Sequence, residues 1–256
     1  MEKAIFFIII AATAVALLIT GGILLFRKVS GKSLKNATLI LPDVFTYTAH
    51  TGCVGTKDNS LQAIEAGAKH GADIIEFDLN FLPDGTPVLS HDKPKGKEIT
   101  LEDAFKKVCE YESLLVNIDI KSVVNLKAVY PLAEKYGLTD RIFYTGVNAN
   151  FLEAVKNDSP RVSYYLNCNV AKPSKQTDEY LKKIVKEVKE SGAIGINFNK
   201  ANATKKLVEA FRENGLLVSI WTVNKEKDMY KIILLSPDNI TTRNPDILQK
   251  LLNKAP

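Results

Sequence analysis

Charged residues recur at a spacing of two in two apolar segments of the chain. Glu76 and Asp78 lie in the first segment, and Asp119 lies in the second, two residues before Lys121. Residues two apart on a β-strand point to the same face, so the three carboxylates converge if that face lines a common interior. Because like charges in a partly dry site repel, such a cluster favours a neutralising cation. The pattern predicts a site for a hard divalent ion, Ca²⁺ or Mg²⁺, which prefers oxygen ligands.

The competing interpretation places Glu76 and Asp78 on the outer face of their strand. There they would face helices and pair with lysines, because acidic side chains are mostly exposed. Two charged pairs inside apolar strands, Glu76 with Asp78 and Asp119 with Lys121, are unusual for that arrangement, and we therefore favour the metal site.

Two of the three histidines end extended runs. His50 closes the first predicted strand, and His91 closes the run Pro87–His91 after a turn at Pro83–Gly85. Beside a carboxylate-bound cation, two imidazoles suit phosphoryl transfer, because one deprotonates the nucleophile and the other protonates the leaving alkoxide. A core position is the alternative for each of them. His70 ends a predicted helix, where a capping role is expected.

Short apolar runs rich in β-branched residues alternate with segments of helical period from about residue 44 onward. The predicted strands are Thr46–His50, Asp73–Leu79, Leu114–Lys121, Arg141–Val147, Arg161–Asn167, Ala193–Asn199, Leu216–Val223 and Asn239–Arg243. The predicted helices include Ser60–His70, Leu101–Cys109, Asn125–Tyr136, Asp178–Ser191, Ala203–Asn214, Lys225–Leu234 and Pro245–Leu252. Several of these helices stop at a glycine, as a left-handed C-terminal cap prefers.

Eight apolar strands separated by helices predict an α/β fold with a parallel sheet that closes into a (β/α)8 TIM barrel. An open doubly wound sheet is the alternative, but it would carry a glycine-rich phosphate loop after its first strand, which His50–Cys53 is not. In such a barrel the chemistry lies at the carboxyl ends of the strands. The candidate acids and His50 lie within or at the ends of the predicted strands, as that rule requires.

Composition excludes several classes of protein. Of the 256 residues, 46% are hydrophobic and 25% are charged, which is typical of a globular chain rather than a disordered or fibrous one. The net charge of +5 is spread along the sequence, so a nucleic-acid partner is not expected. The three cysteines are too few and too scattered for a disulfide framework or a zinc cluster.

Residues Ala4–Phe26 form a run of 23 without a charged side chain. As a helix this run would extend about 34 Å, enough to cross a hydrocarbon core of ~30 Å. A cleaved signal peptide would have a shorter apolar region and a small-residue cleavage site. We therefore predict a transmembrane anchor over residues 1–26, a basic stalk over 27–43 and the barrel over 44–256, in a single-pass membrane protein.

The side of the membrane stays open at this stage. Arg27 and Lys28 follow the apolar run, and the positive-inside rule would put the barrel in the cytoplasm. Bases next to a membrane also bind anionic headgroups, which weakens that inference.

An ordered set of segments resembles the glycerophosphodiester phosphodiesterases of the phospholipase C-like superfamily. The segments are Ala49–Gly52, Asp58–Leu61, Gly71–Asp78, Asp84–Asp92, Val116–Lys121, Ile220–Asn224 and Ile240–Pro245. The resemblance implies a TIM barrel, a divalent metal such as Ca²⁺ or Mg²⁺, and hydrolysis of glycerophosphodiesters to glycerol 3-phosphate and an alcohol. It implies acid and base roles for His50 and His91, metal-ligand roles for Glu76, Asp78 and Asp119, and a phosphate contact for Lys121.

The chain also departs from the motifs of this family. Thr51 stands where the first motif usually has an arginine, and Asp58 and Asp119 stand where the family usually has glutamate. Only residues Lys93–Thr100 separate the His91–Asp92 motif from the next helix, where many members carry an extra segment. A divergent member with a more open mouth could accept a larger, lipid-derived phosphodiester.

Three further residues are candidates for substrate binding. Trp221, the only tryptophan, ends the seventh predicted strand and could stack on the glycerol or headgroup, or pack beneath the mouth. Asn224 could bond in the same site or cap the helix that follows. Asn59 lies in the second family segment.

Three functional hypotheses follow. The first is a metal-dependent phosphodiesterase for glycerophosphodiesters or for lysophospholipid-type substrates. The second is a catalytically weak or silent barrel that binds phosphodiester headgroups, suggested by the missing arginine. The third is a glycosidase that uses Glu76 and Asp119 as its carboxylate pair. We rank it last, because it leaves His50 and His91 without a role.

Overall fold

The computed structural model of the chain describes residues 41–42 and 45–252. The predicted anchor over residues 1–26 and most of the predicted stalk lie outside the described residues, so both stay predictions. Among the helices in the described part, none is long and apolar enough to cross a membrane.

Nine strands and eight α-helices make up the described residues. The strands are β1 (Thr46–Ala49), β2 (Ile74–Phe81), β3 (Pro87–Leu89), β4 (Leu115–Ile120), β5 (Ile142–Val147), β6 (Tyr164–Asn167), β7 (Gly195–Asn199), β8 (Leu217–Trp221) and β9 (Asn239–Thr242). The helices are α1 (Leu61–Lys69), α2 (Leu101–Val108), α3 (Val129–Lys135), α4 (Leu152–Asp158), α5 (Asp178–Ser191), α6 (Lys205–Arg212), α7 (Glu226–Ile233) and α8 (Pro245–Leu252).

The predicted barrel is confirmed. Eight parallel strands follow one another in the order β1-β9-β8-β7-β6-β5-β4-β2, and β1 pairs with both β9 and β2, which closes the sheet. Each of the eight predicted strands corresponds to one of these, although the ends differ by a few residues.

Two elements were not predicted. Strand β2 continues to Phe81, and its last residues pair with the antiparallel strand β3. Three residues are too few for a recognisable alternation, so β3 was expected only as an extended run. Helix α4 has a single buried residue, Val155, and its short sequence therefore carries almost no apolar period.

Successive side chains on a strand point to opposite faces, and this alternation separates the residues of the site from those of the core. On β2, Glu76 and Asp78 line a cavity at the mouth of the barrel, while Phe77 and Leu79 are buried on the opposite face. Asn197 and Phe198 on β7 divide in the same way. On these two strands, polar side chains therefore line the cavity and apolar side chains are buried on the opposite face.

Phe198→Ala tests this division. Phe198 is fully buried, and its truncation should leave a cavity and lower the free energy of unfolding by about 3–5 kcal/mol. Denaturant-induced unfolding measures the difference. Val124→Ala is the control, because Val124 is 74% exposed and its truncation should change the free energy by less than about 0.5 kcal/mol. Equal losses in the two variants would contradict the packing described here.

Candidate active site

A cavity of about 540 Å³ opens at the carboxyl ends of the barrel strands. Its wall combines acidic, basic, amide and imidazole groups. The residues that line it include His50, Thr51, Asp58, Glu76, Asp78, His91, Asn117, Asp119, Lys121, Thr145, Asn167, Asn197, Trp221 and Arg243. A larger groove of about 820 Å³ lies between α5 and α6, but it is lined mainly by charged surface residues and contains none of the candidates. The mouth of the barrel is therefore the candidate site.

The structure brings the three predicted acids together. Asp78 on β2 and Asp119 on β4 are register partners, and Glu76 lies one inward-facing position earlier on β2. Glu76, Asp78 and Asp119 each present a carboxylate oxygen, and these atoms all lie within 4.8 Å of one another. Burial raises the pKa of Glu76 well above its ordinary value, and the charges of Asp78 and Asp119 add to the effect. The cluster therefore has an excess of negative charge in a partly dry place.

Lys121 partly balances this charge. Its Nζ lies 2.7 Å from Asp119 Oδ2 and 3.1 Å from Asp78 Oδ1. Burial alone would lower the pKa of Lys121, but the two carboxylates together raise it above its ordinary value. Asp119 Oδ1 is buried and has no hydrogen-bond partner among the described residues. This unpartnered oxygen and the all-oxygen donor set fit a hard divalent cation.

Thr51 and Asn59 hold two of the acids in place. The Thr51 backbone N–H donates to Glu76 Oε2 at 2.8 Å. Asn59 Nδ2 donates to Asp78 Oδ2 at 2.8 Å, and Asn59 Oδ1 accepts from the Asp78 N–H at 2.9 Å. Thr51 Oγ1 in turn accepts from the Asn59 N–H at 2.5 Å. Asn59, predicted to bind substrate, is thus placed where it orients a candidate metal ligand.

The two candidate histidines flank the acids. His50 follows β1, with Nδ1 3.0 Å from the Thr51 carbonyl oxygen and 4.0 Å from Glu76 Oε2. Burial lowers the pKa of His50, and the Arg243 charge acts in the same direction, while Asp78 and Asp119 oppose it. His50 is therefore a neutral imidazole near neutral pH.

His91 lies after β3 and is more open to solvent. Its Nδ1 lies 3.0 Å from Asp92 Oδ1, and its side chain is 68% exposed. His70 ends helix α1 as its C-terminal cap, as predicted, and does not line the cavity.

Amide groups from three strands form the opposite wall. Asn167 Oδ1 accepts from the Gly146 N–H and from Asn197 Nδ2, both at 3.0 Å. Asn197 Oδ1 and Trp221 Nε1 are buried and have no partner within the described residues. Trp221 lines the cavity, and its contact with a substrate stays a prediction.

Asn224 is not among the residues that line the cavity. Its Oδ1 accepts from the Arg243 N–H at 2.8 Å, and its carbonyl oxygen accepts from Asn244 Nδ2 at 2.8 Å. The structure therefore places Asn224 behind the wall, where it holds the end of β9. Direct substrate contact by this residue stays a prediction.

Sequence comparison assigns the chain to a family. The model of the glycerophosphoryl diester phosphodiesterase family matches residues 46–107 and 93–247, which is most of the described chain. The chain belongs to this family. As a member of this family it is a phosphoric diester hydrolase.

Individual relatives agree with the family assignment. A glycerophosphodiester phosphodiesterase from Caldanaerobacter subterraneus subsp. tengcongensis is 26% identical over 247 residues, which cover 81% of this chain and 97% of the relative. The crystal structure of a glycerophosphodiester phosphodiesterase from Agrobacterium tumefaciens has a TM-score of 0.65 at 18% identity and covers 80% of this chain and 99% of its own. A phosphodiesterase from Oleispira antarctica was solved in complex with the product sn-glycerol-3-phosphate. It has a TM-score of 0.65 at 15% identity, and the match covers 84% of this chain and 98% of that protein. Both structures share the barrel fold.

One charged residue of the site was not predicted. Arg243 follows β9 and lines the cavity, where Nη1 donates to Asp58 Oδ1 at 2.6 Å and Nη2 donates to Asp58 Oδ2 at 3.3 Å. A basic residue directly after a predicted strand was the available signal. Its meaning depends on barrel closure, which places β9 beside β1 and His50.

Asn59→Gly tests how the cation site is built. Asn59 has a φ of 54°, a conformation that glycine adopts without strain, so this change removes the side chain alone. Loss of the bonds to Asp78 should weaken Ca²⁺ binding by about 10- to 100-fold, the effect usual for partners of metal ligands. Titration calorimetry measures the affinity. Asn214→Gly is the control, because Asn214 is exposed, lies after the end of α6 and does not line the cavity. Equal affinities in the two variants would show that Asn59 does not orient Asp78.

Proposed function

We propose that this phosphodiesterase hydrolyses glycerophosphodiesters to glycerol 3-phosphate and an alcohol, with a divalent cation held by Glu76, Asp78 and Asp119. The observation that carries the proposal is the meeting of three carboxylates within 4.8 Å of one another in a cavity that two histidines also line. Carboxylate oxygens without a cysteine or histidine in the cluster favour Ca²⁺ or Mg²⁺ over softer metals.

A cation bound by these acids would polarise the phosphoryl group and stabilise negative charge that develops on it. The protein prepares for that charge through its own groups. Lys121 neutralises part of the acidic charge, and Thr51 and Asn59 fix the positions of Glu76 and Asp78. The acids are thus held ready for a cation at little cost in reorganisation.

His50 suits the role of general base. Its Nδ1 is engaged with the Thr51 carbonyl oxygen, to which only an N–H can donate, so Nε2 carries the free lone pair of the neutral ring. That lone pair can take the proton from the attacking hydroxyl, which belongs either to water or to the glycerol part of the substrate. Burial and the lowered pKa keep the ring neutral and able to accept.

His91 suits the role of general acid. When the bond between phosphorus and the alcohol oxygen breaks, the leaving alkoxide needs a proton, and an imidazolium can supply it. Asp92 Oδ1, 3.0 Å from Nδ1, orients the ring. The exposure of His91 fits a leaving group that departs toward solvent. With water as the nucleophile, its oxygen bonds to phosphorus as the bond to the alcohol oxygen breaks, so water is added across that P–O bond. With a glycerol hydroxyl as the nucleophile, the alcohol leaves first and a cyclic phosphate forms, which water then opens with the two histidines in exchanged roles.

The cavity supports recognition of a glycerol group. Asn197 Oδ1 can accept from a hydroxyl and Trp221 Nε1 can donate to one, and neither has another partner in the described residues. The Oleispira antarctica protein, solved with sn-glycerol-3-phosphate, supports the same product class.

A panel of glycerophosphodiesters that differ in their alcohol tests the proposal. We expect release of glycerol 3-phosphate in the presence of Ca²⁺ or Mg²⁺ and its loss with a chelator. His50→Ala and His91→Ala should each lower kcat by about 100-fold or more, the usual contribution of a general acid or base.

His70→Ala is the matched control for both variants, since His70 caps α1 outside the cavity. Unchanged turnover in His50→Ala and His91→Ala would eliminate the proposed chemistry. Metal binding without turnover of any phosphodiester would instead favour the silent binding barrel.

We further propose that Ala4–Phe26 anchors the enzyme in a membrane, which would keep it close to lipid-derived substrates. The full chain should stay with the membrane pellet after an alkaline wash. Leu17→Arg with Leu18→Arg should release it, because each arginine near the centre of a span costs about 2.5–3.5 kcal/mol. Extraction of the unaltered chain by the same wash would contradict the anchor.

A further inference from the structure

A phosphodiester brings one negative charge, shared between two non-bridging oxygens, into the cavity. Among the described residues that line the cavity, Lys121 and Arg243 are the two with a permanent positive charge. Lys121 already lies between Asp78 and Asp119, at 3.1 and 2.7 Å. Its charge is therefore largely committed to the acids, and the anion needs a second donor.

We propose that Arg243 is that donor and binds a non-bridging phosphoryl oxygen of the substrate through its guanidinium group. The inference rests on the proposed function and names the residue that fixes the phosphate. A guanidinium suits this task, because its planar set of N–H groups matches the oxygens of a phosphate and its charge is permanent.

The backbone of Arg243 is clamped beside the candidate base. The His50 N–H donates to the Thr242 carbonyl oxygen at 2.8 Å, so Arg243 follows directly at the level of His50. The Arg243 N–H donates to Asn224 Oδ1 at 2.8 Å, and its carbonyl oxygen accepts from the Val54 N–H at 2.8 Å. These bonds fix where the side chain starts.

Asp58 holds the guanidinium group at the cavity wall. Two of its N–H groups donate to the two Asp58 oxygens, at 2.6 and 3.3 Å, which leaves three of the five N–H groups for a ligand. The pair also occupies the space above Gly52. A Cβ at that position would lie 1.9 Å from Asp58 Oδ1 and 2.6 Å from Arg243 Nη1, so only glycine is compatible with the pair.

Arg243→Ala, Arg243→Lys and Arg161→Ala form the test. Arg161 is a matched control, because it is exposed and its guanidinium lies over the Tyr130 ring rather than in the cavity. Two quantities are measured on the full chain with Ca²⁺ present: KM and kcat for a glycerophosphodiester, and the Kd of glycerol 3-phosphate by calorimetry.

Arg243→Ala should raise KM and the Kd of glycerol 3-phosphate by about 10- to 100-fold, as expected for lost charge-assisted hydrogen bonds. Arg243→Lys should recover only part of this loss, because the ammonium group of lysine does not replace the planar set of N–H groups of a guanidinium. Added guanidinium ion should improve binding in Arg243→Ala and leave Arg161→Ala unchanged. This rescue separates loss of a phosphate contact from misfolding.

The inference is overturned if Arg243→Ala matches Arg161→Ala in KM and Kd, or if Arg243→Ala loses binding that guanidinium does not restore. If the unaltered chain turns over a glycerophosphodiester and Arg243→Ala leaves KM and Kd unchanged, this inference is refuted and the proposed function stays intact. Binding of glycerol 3-phosphate that depends on Arg243, without turnover of any glycerophosphodiester, would refute the function and leave the inference intact. Absence of both binding and turnover would refute both.

Discussion

The mutual repulsion of three carboxylates, two of them buried and one half-buried, is the constraint on which the rest of the site depends. Two unit charges separated by 4–5 Å repel by roughly 3–4 kcal/mol at an effective dielectric constant of about 20. Glu76, Asp78 and Asp119 lie within such distances of one another, and the first two are almost fully buried. A fold keeps such a cluster only if other groups offset the repulsion. Here Lys121 contributes its charge, and Thr51 contributes a backbone N–H.

Closure of the barrel supplies the remaining groups. His50 ends the first strand and Arg243 follows the last, 193 positions apart in sequence, yet β1 and β9 are hydrogen-bonded neighbours. Asp58, from the loop after β1, reaches across to Arg243. The chemistry therefore depends on contact between the first and the last strand of the barrel. A closed parallel sheet provides that contact, while an open doubly wound sheet would separate its edges.

Local signals predicted most of this arrangement, and the closing contact explains what they missed. The apolar, β-branched runs between helical segments gave the eight barrel strands, and the spacing of two in the segments that carry Glu76 and Asp119 gave the convergence of the acids. The short β3 and the weakly apolar α4 had no period to detect. Arg243 and the position of Asn224 behind the wall depend on which strands are neighbours, and neither spacing nor composition encodes that pairing directly.

Two of the departures from the family motifs, Thr51 and Asp58, lie in one loop. Thr51 and Asp58 belong to the loop after β1, and Arg243 comes from β9 beside it. Thr51 is buried and bonded to Asn59, so this position is already used to build the acid cluster. A guanidinium nevertheless lines the cavity close by, supplied by a different strand. The chain thus has another source for the positive charge whose absence from the first motif suggested a silent barrel, and this weakens the main argument for that hypothesis.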